Sequence, residues 1–549
     1  MGKKNKQRAD AEASAAGNGS SSRYWPYIVV LLVIVFFSAI RVRLLDVPLE
    51  RDEGEYAYAG QLILQGTPPY QLAYNMKLPG TYGAYALVLA LFGQTPAGIH
   101  AGLLLVNAAT TVLVFFLAAR LFGPLAGVVS AASYAVLSTS PSVLGFAGHA
   151  TNFVALPAVG GMLLLLKAIE TRRPWLYFWG GVLVGLAFVM KQPGIFFVLF
   201  AGVYFVSSEW KRPIDGQGII ARGGMLCLGA IVPFGTACLI LWKAGVFSKF
   251  WFWTFVYARE YGLALGPLDG SHVLWMMAPV AIGAGVFIWL IAGVGLSAIL
   301  WNPQARSHST FLAGFLLFSF LAVCPGFYFR QHYFIVMLPA VSLLAGVAVA
   351  AATRELRERD RTKVRRFVPV VLFAIAFAYP LAVQREFLFD MEPMEAGQSL
   401  YAPNPFPEAP KIAEYIKAHT SPAARIAVLG SEPEIFFYAQ RHSATGYIYV
   451  YPLMEQQKYA RTMQNEMISE IERAKPEFVV QVNVPFSWVV RPDSDTTIFT
   501  WSLKFLHEHY ELDGVVDILQ QSEYRWGEEA NAYKPTSPYT VQVFRRRRL

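Results

Sequence analysis

Long apolar runs, separated by short polar segments, dominate residues 26–385. A helix needs about 20 mostly apolar residues to cross a bilayer, and about eleven runs approach that length. They lie at about 26–44, 98–119, 124–145, 152–169, 175–190, 194–208, 219–243, 272–300, 309–325, 332–351 and 367–384. This pattern predicts a polytopic α-helical membrane protein.

Residues 79–92 form a further apolar run that is too short for a crossing, at about 14 residues. We predict an interfacial helix here. Lys and Arg of short loops remain on the cytoplasmic side of a membrane. With eleven crossings and a cytoplasmic N-terminus, that side receives Arg120, Arg172, Arg173, Lys211, Arg212, Arg306 and the seven basic residues between Arg354 and Arg366. A twelfth crossing at 79–92 would place all of them on the outer side.

The chain changes character after about residue 385, where strand-like and helix-like segments alternate. Residues 425–430 and 477–482 are typical of strands, and 435–440 of a helix. We predict a soluble α/β domain over residues 386–549. The predicted organisation is therefore a cytoplasmic basic tail (1–25), a membrane domain (26–385) with a long outer loop (45–97), and a C-terminal domain on the outer side.

Composition agrees with this organisation, since 55% of residues are hydrophobic and 15% charged, against about 45–50% and 25% in soluble domains. The three cysteines lie in apolar runs without metal-site spacing, so neither a disulfide nor a zinc motif is predicted. Much of the net charge of +9 reflects the basic cytoplasmic segments. Charged residues are missing from the middle of the spans, whereas ion-coupled transporters usually carry them there.

The outer loop 45–97 carries the first candidate chemistry. Asp52 and Glu55 are three residues apart and would share one face of a helix. A carboxylate at the membrane boundary can act as a general base, although an N-capping acidic cluster is the alternative. Lys77 directly precedes the interfacial run and suits a lipid phosphate; a lysine that only reaches toward the headgroups is the alternative.

These motifs resemble those of the GT-C glycosyltransferases. The resemblance rests on Asp52 and Glu53 after the first span, Lys77 followed by Pro79 and Gly80, and a second outer loop near residue 150. The segments 330–334 and 428–433 also resemble bacterial members. The closest similarity is to the protein O-mannosyltransferase and aminoarabinose-transferase group, which is family 39-like.

The resemblance implies a role for each matching residue. Asp52, with Glu53 beside it, would be the catalytic base of an inverting transfer, and Lys77 would stabilise the departing phosphate, although Leu78 replaces a proline of the family motif. Arginines can bind a phosphate through two hydrogen bonds. The further candidates are Arg259, Arg330 and His332 for the phosphate, and Glu55, His149 and Asn152 for the acceptor side.

The second outer loop departs from the family, which commonly has an acidic residue there. This chain has Gly148-His-Ala-Thr-Asn152 instead. His149 or Asn152 would then supply a hydrogen bond, or Asn152 would only cap the next helix. Because a carboxylate ligand is missing, we expect no metal cofactor, while a divalent metal is left open.

The implied function is sugar transfer from a polyprenyl-phosphate-linked donor to a lipid, protein or envelope polymer on the outer side of the membrane. The expected location is the inner or plasma membrane, with the C-terminal domain periplasmic or extracellular. Membrane lipids are expected partners, and nucleic acid is not. A flippase for the same lipid-linked sugar and a non-catalytic scaffold are the alternatives.

Overall fold

The structure, a computed structural model, describes residues 24–210, 216–359 and 364–547. Most of the predicted basic tail lies outside the described residues, as do four of the basic residues assigned to cytoplasmic loops: Lys211, Arg212, Arg361 and Lys363.

Helices make up the membrane region. They are α1 (Tyr24–Arg43), α2 (Arg51–Leu64), α3 (Pro79–Phe92), α4 (Pro96–Phe122), α5 (Pro124–Ser138), α6 (Ala150–Thr171), α7 (Pro174–Met190), α8 (Ile195–Trp210) and α9 (Gly216–Lys243). After them come α10 (Phe247–Trp251), α11 (Ala258–Gly262), α12 (Pro267–Ile282), α13 (Val286–Trp301), α14 (Pro303–Ser307), α15 (Ser309–Leu321), α16 (Leu338–Arg359) and α17 (Val368–Val383). A π-helical turn, Phe252–Tyr257, joins α10 to α11, and a 3-10 segment, Gln331–Met337, leads into α16.

Within the described residues, eight helical stretches are long and apolar enough to cross a membrane. They correspond to eight of the eleven predicted crossings. The other three are the shorter helices α5, α7 and α15, of 15, 17 and 13 residues. At a rise of 1.5 Å per residue, 13 residues span only about 20 Å of a hydrocarbon core of about 30 Å. The run at 79–92 is a helix of 14 residues, as predicted.

Proline and glycine mark the helix boundaries in this region. Pro79, Pro96 and Pro124 each stand in the first turn of a helix, where a missing N–H costs nothing. Gly93 and Gly123, at φ +92° and +87°, end α3 and α4. The chain can therefore turn sharply between successive helices.

The C-terminal domain is a mixed six-stranded sheet with helices. Its strands are β1 (Arg425–Leu429), β2 (His442–Ser443), β3 (Phe478–Asn483), β4 (Tyr510–Asp517), β5 (Glu523–Trp526) and β6 (Thr540–Arg546), in the order β2-β1-β3-β6-β4-β5. β1 pairs in parallel with β2 and β3, and the remaining pairs are antiparallel. The helices are α18 (Pro393–Tyr401), α19 (Ala409–Ala418), α20 (Glu434–Ala439), α21 (Tyr451–Met454), α22 (Ala460–Ala474), α23 (Pro485–Trp488), α24 (Thr497–His509) and α25 (Glu528–Ala532).

Loops predicted to share the cytoplasmic side do meet in space. Gln304 donates to the carbonyl of Leu121 at 2.7 Å and accepts from Arg354 at 3.1 Å, and Arg120 pairs with Glu170. The 22-residue helix α6 leads from Glu170 to the opposite end of the membrane region, which is about 33 Å away.

The C-terminal domain packs directly on α2, which is almost wholly buried. The guanidinium of Arg51 donates to the carbonyl of Ser431 at 2.6 Å and pairs with the buried Glu432 at 3.1 Å. Residues of α2 and of β1, β3 and α20 belong to one hydrophobic cluster. The outer loop and the C-terminal domain therefore share a core.

Gly54 provides a test of this packing, because a Cβ at this position would lie 2.6 Å from the backbone nitrogen of Glu434. We expect Gly54→Ala to lower the unfolding midpoint, at a cost of about 1–3 kcal/mol, as measured by intrinsic tryptophan fluorescence on heating. Gly83 is the matched control, since a Cβ there meets nothing within 4 Å. Gly83→Ala should leave the midpoint unchanged or raise it, because alanine favours helix; an equal loss in both variants would contradict the packing argument.

Candidate active site

The first turn of α2 orients the acidic residues of the outer loop. Glu50 caps the helix by accepting a hydrogen bond from the N–H of Glu53 at 3.0 Å. Asp52 and Glu55 lie on one face, as their spacing predicts, because the Nζ of Lys77 contacts both. The predicted cap therefore exists, but Glu50 forms it, and Asp52 remains available to the site.

Lys77 is held between carboxylates and aromatic rings. Its Nζ is 2.7 Å from Asp52 Oδ1 and 2.8 Å from Glu55 Oε2. The ring centroids of Tyr56 and Tyr449 lie 4.5 and 5.4 Å from the same atom. The structure does not show a lysine extended into the headgroup region; the ammonium is partly buried and paired with two carboxylates.

Glu55 acts on the site through its partners. It accepts hydrogen bonds from Tyr82 at 2.6 Å, Asn75 at 2.7 Å and Lys77. Burial raises the pKa of Glu55 above its usual value. Three donors surround the Glu55 carboxylate, and Glu55 does not line the cavity. Its role is therefore to position Lys77.

Glu53 also lies behind the site. Its Oε1 accepts from the backbone N–H of Gly148 at 2.5 Å and lies 3.1 Å from Nε2 of His100. The Tyr85 hydroxyl donates to the carbonyl of Gly148 at 2.7 Å. These bonds tie the second outer loop to the start of α2, so Glu53 positions Asp52.

Two histidines approach the free oxygen of Asp52. Nδ1 of His149 and Nε2 of His332 are each 3.8 Å from Oδ2. Their rings are stacked, with centroids 3.9 Å apart and planes inclined by 12°. His149 belongs to the second outer loop and His332 to the segment before α16, so three distant parts of the chain meet at Asp52.

A cavity of about 170 Å³ opens in front of Asp52. Three cationic side chains line it, from Lys77, Lys191 and Arg330. The remaining lining is largely aromatic and apolar, and includes Tyr56, Tyr257, Tyr261, Tyr333, Tyr449, Val154, Met190, Ala322 and Val336. A phosphate joined to an apolar chain matches this combination of cations and apolar surface.

Charge and burial set the protonation of the site. Burial raises the pKa of Asp52, but the ammonium of Lys77 more than offsets this and holds it well below its usual range. Burial lowers the pKa of Lys77, but Asp52 and Glu55 together raise it well above normal. Burial lowers the pKa of Lys191 to about 7. Asp52 and Lys77 are therefore an ion pair at neutral pH, whereas Lys191 is close to its midpoint.

Two predicted candidates lie away from the cavity. Arg259, on α11, is exposed and does not line it. Asn152 is buried in α6 and donates to the carbonyl of Ala147 at 3.3 Å. His149, not Asn152, is the residue that precedes the helix. The structure brings together Asp52, Glu55, Lys77, His149, Arg330 and His332.

Sequence reasoning missed part of the cavity wall. Lys191, in a Lys-Gln-Pro-Gly segment typical of a turn, enters the cavity and lies 4.0 Å from the ring centroid of Tyr333. The C-terminal domain adds Tyr449, Tyr451 and Glu455. The position of Lys191 at a predicted outer turn is a signal by which the sequence could identify it as a site residue. No local pattern identifies Tyr449 or Glu455.

Comparison with known proteins finds a family model that matches part of the chain and solved structures that share its fold. Residues 79–236 match the family described as dolichyl-phosphate-mannose-protein mannosyltransferase. That range covers α3 to part of α9 and leaves out Asp52 and Lys77. No curated protein sequence matches the chain.

Solved structures match over nearly the whole length. ArnT from Cupriavidus metallidurans bound to undecaprenyl phosphate matches with a TM-score of 0.57 and 15% identity, over 95% of this chain and 98% of that one. AglB from Archaeoglobus fulgidus, an archaeal oligosaccharyltransferase in complex with an inhibitory peptide and a dolichol-phosphate, matches with a TM-score of 0.51 and 11% identity, over 92% and 75%. At such identities the likeness establishes the fold. This multi-pass membrane protein is therefore similar to both proteins in fold over most of its length, and similar to the mannosyltransferase family in sequence over residues 79–236.

Proposed function

We propose that the protein transfers a sugar from a polyprenyl-phosphate-linked donor to an acceptor on the outer side of the membrane, with inversion at the anomeric carbon. The observation that carries this proposal is the carboxylate of Asp52, which faces a cavity lined by three cations. The undecaprenyl phosphate bound to ArnT and the dolichol-phosphate bound to AglB support the donor class. The acceptor is a lipid, a protein or an envelope polymer.

In this reaction the acceptor hydroxyl attacks the anomeric carbon opposite the phosphate. A new bond forms between the acceptor oxygen and that carbon, and the bond from the carbon to the phosphate oxygen breaks. The proton of the hydroxyl passes to Asp52, and the electron pair leaves on the polyprenyl phosphate. Lys77, Lys191 and Arg330 stabilise the negative charge that grows on this leaving group.

Because Asp52 is paired with Lys77, binding of the donor also changes how strongly Asp52 acts as a base. A carboxylate whose pKa is held far below normal is a weak base. When a phosphate draws the ammonium of Lys77 away, Asp52 Oδ1 loses its partner and its affinity for a proton rises. Arrival of the donor thus prepares the base.

The membrane orientation is part of the proposal. Arg120, Arg306 and Arg354 lie in α4, α14 and α16, at the end of the membrane region opposite the cavity. The positive-inside rule would make that end cytoplasmic. The cavity and the C-terminal domain would then face the periplasm or the extracellular space, in an inner or plasma membrane. The apolar wall, which includes Val154, Met190 and Val336, would accept the first prenyl units.

Purified protein in liposomes tests the function against its alternatives. Synthetic polyprenyl-phosphate donors with different labelled sugars are presented with envelope extract as acceptor, and release of polyprenyl phosphate is measured together with labelled product. We expect both to appear with at least one donor. Movement of labelled donor between leaflets without release would indicate a flippase, and binding without either would indicate a scaffold.

Lys191 makes donor binding depend on pH. Because its pKa is about 7, its ammonium is largely present at pH 6 and largely lost at pH 8. If the charged form holds the phosphate, we expect affinity for undecaprenyl phosphate to fall by up to about tenfold between these values. Fluorescence titration with a labelled lipid phosphate measures the change.

Lys191→Arg should remove most of this dependence, because an arginine stays charged throughout the range. Lys249 is the matched control, since it pairs with Glu466 outside the cavity. Lys249→Arg should keep the pH dependence of the wild type. An unchanged pH dependence in Lys191→Arg would remove Lys191 from the phosphate site.

A further inference from the structure

The cavity has a second lining carboxylate, that of Glu455, which the C-terminal domain supplies. Glu455 follows directly after α21 and is half-buried. Its Oε2 accepts a hydrogen bond from the hydroxyl of Tyr257, a buried residue of the π-helical turn that also lines the cavity. In the part of the chain that the structure describes, Oε1 of Glu455 accepts no such bond. One oxygen is therefore fixed by the protein, and the other remains available to a ligand.

Two guanidiniums act on the charge of Glu455, those of Arg491 and Arg330. Burial raises the pKa of Glu455 above its usual value, while the hydrogen bond from Tyr257 and the two guanidiniums act in the opposite direction. Arg330 also lines the cavity and interacts electrostatically with Asp52. The carboxylate of Glu455 therefore has a fixed orientation and positive charge beside it, at the same cavity as the proposed base.

A sugar offers the groups that this carboxylate can bind. Sugar hydroxyls donate hydrogen bonds, and an ionised carboxylate only accepts them. When the phosphate of a donor binds the three cations of the cavity, the sugar bonded to that phosphate lies in the same cavity as Glu455. An ammonium group at this position would be repelled by the guanidiniums of Arg330 and Arg491, whereas a neutral hydroxyl would not.

On the basis of the function proposed above, we propose that Glu455, held by Tyr257, binds a hydroxyl group of the donor sugar and thereby selects a neutral sugar. Glu455 determines specificity and takes no part in proton transfer, which belongs to Asp52. Tyr257 is a positioning residue, because it acts through Glu455. The preference arises from a charge-assisted hydrogen bond, which is stronger than a bond between neutral groups. A donor without this hydroxyl would leave Oε1 unpaired.

Binding of two kinds of lipid to the full-length protein tests this role without any acceptor. The probes are bare undecaprenyl phosphate and undecaprenyl phosphate that carries a neutral pentose or hexose, each measured by competition with a fluorescent lipid phosphate. We expect the wild type to bind at least one sugar-bearing lipid more tightly than the bare lipid. Glu455→Gln should weaken binding of that donor about tenfold or more, as expected for loss of a hydrogen bond to a charged group. Its affinity for the bare lipid should stay equal or rise, because the variant removes a negative charge.

Donor analogues that each lack one hydroxyl identify a direct contact. One analogue should bind the wild type about tenfold more weakly than the parent donor, whereas Glu455→Gln should bind the two equally, because both changes remove the same hydrogen bond. Tyr257→Phe should reduce this difference in part, since the carboxylate loses its fixed orientation. An amino group in place of the identified hydroxyl should also weaken binding to the wild type; tighter binding would contradict the selection of a neutral sugar.

Glu466 is the matched control. It also accepts a hydrogen bond from a buried tyrosine, Tyr447, at 2.6 Å, and it does not line the cavity. Glu466→Gln should bind both kinds of lipid like the wild type. Thermal unfolding identifies a variant that fails to fold. If Glu455→Gln does not fold, Glu455→Asp carries the test, because it keeps the charge but withdraws the carboxylate from the sugar by one methylene group.

Equal weakening of the bare and the sugar-bearing lipid in Glu455→Gln would overturn the proposal, as would a wild type that binds no sugar-bearing lipid more tightly than the bare one. Because these measurements need neither acceptor nor turnover, they are separate from the test of sugar transfer. A protein that shows the preference dependent on Glu455 but releases no polyprenyl phosphate would support this inference and count against the transfer alone.

Discussion

Asp52→Asn should abolish sugar transfer while the protein stays folded. The amide keeps the shape of the side chain and can still accept a hydrogen bond from Lys77, but it cannot take the proton of the acceptor hydroxyl. Loss of a general base costs about 10²–10⁴-fold in rate. Single-turnover transfer of a radiolabelled sugar, under saturating donor, measures the loss.

Asp46 offers a matched control, because it is exposed and lies six residues earlier on the same side of the membrane region. Asp46→Asn should transfer sugar at the wild-type rate. Thermal unfolding of both variants should match the wild type closely. Turnover of Asp52→Asn within about twofold of the wild type would exclude Asp52 as the base, since a base contributes far more than that.

Lys77→Met should cause the second large loss. Methionine has a similar length and fills the space between the rings of Tyr56 and Tyr449, but it carries no charge for the leaving phosphate. Removing one preorganised group that stabilises transition-state charge costs about 10²–10³-fold in kcat. Binding of undecaprenyl phosphate should weaken less than kcat falls, because charge on the phosphate grows as the bond to the sugar breaks.

The control for Lys77 is Lys249, which also pairs with a carboxylate, Glu466, and lies over a tyrosine ring, that of Tyr74. It does not line the cavity. Lys249→Met should leave kcat within about twofold of the wild type, as expected of a partly exposed ion pair. Equal losses in the two variants would show a general effect of removing an outer-face charge.

The candidate site was only partly predictable. Asp52, Glu55 and Lys77 could be found because they lie within one loop, where spacing on a helix and position before an apolar run are visible in the sequence. Lys191 lies in a segment that looks like an ordinary outer turn, and nothing local marks Glu455. Arg259 and Asn152 have side chains that suit such a site, but in the folded chain neither of them lines the cavity.

The two histidines beside Asp52 show the same limit. His149 and His332 are 183 positions apart in the chain, so no ligand spacing can be read from the sequence. Their rings nevertheless stack beside Asp52. No local pattern therefore indicates that the fold brings a histidine from the second outer loop and another from before α16 to the same oxygen of Asp52.

The amino-acid sequence alone specified the class of the protein, its apolar helices, the short helix at 79–92 and the α/β character of the C-terminal region. These features depend on residues within one or two turns of each other, on the length of apolar runs and on proline and glycine at helix ends. Only the folded chain decided that three of the predicted crossings are helices of 13 to 17 residues, that the C-terminal domain covers α2, and that Asp52 lies beside two histidines at a cavity lined by three cations. Those contacts depend on how distant surfaces pack, and local patterns carry no record of that.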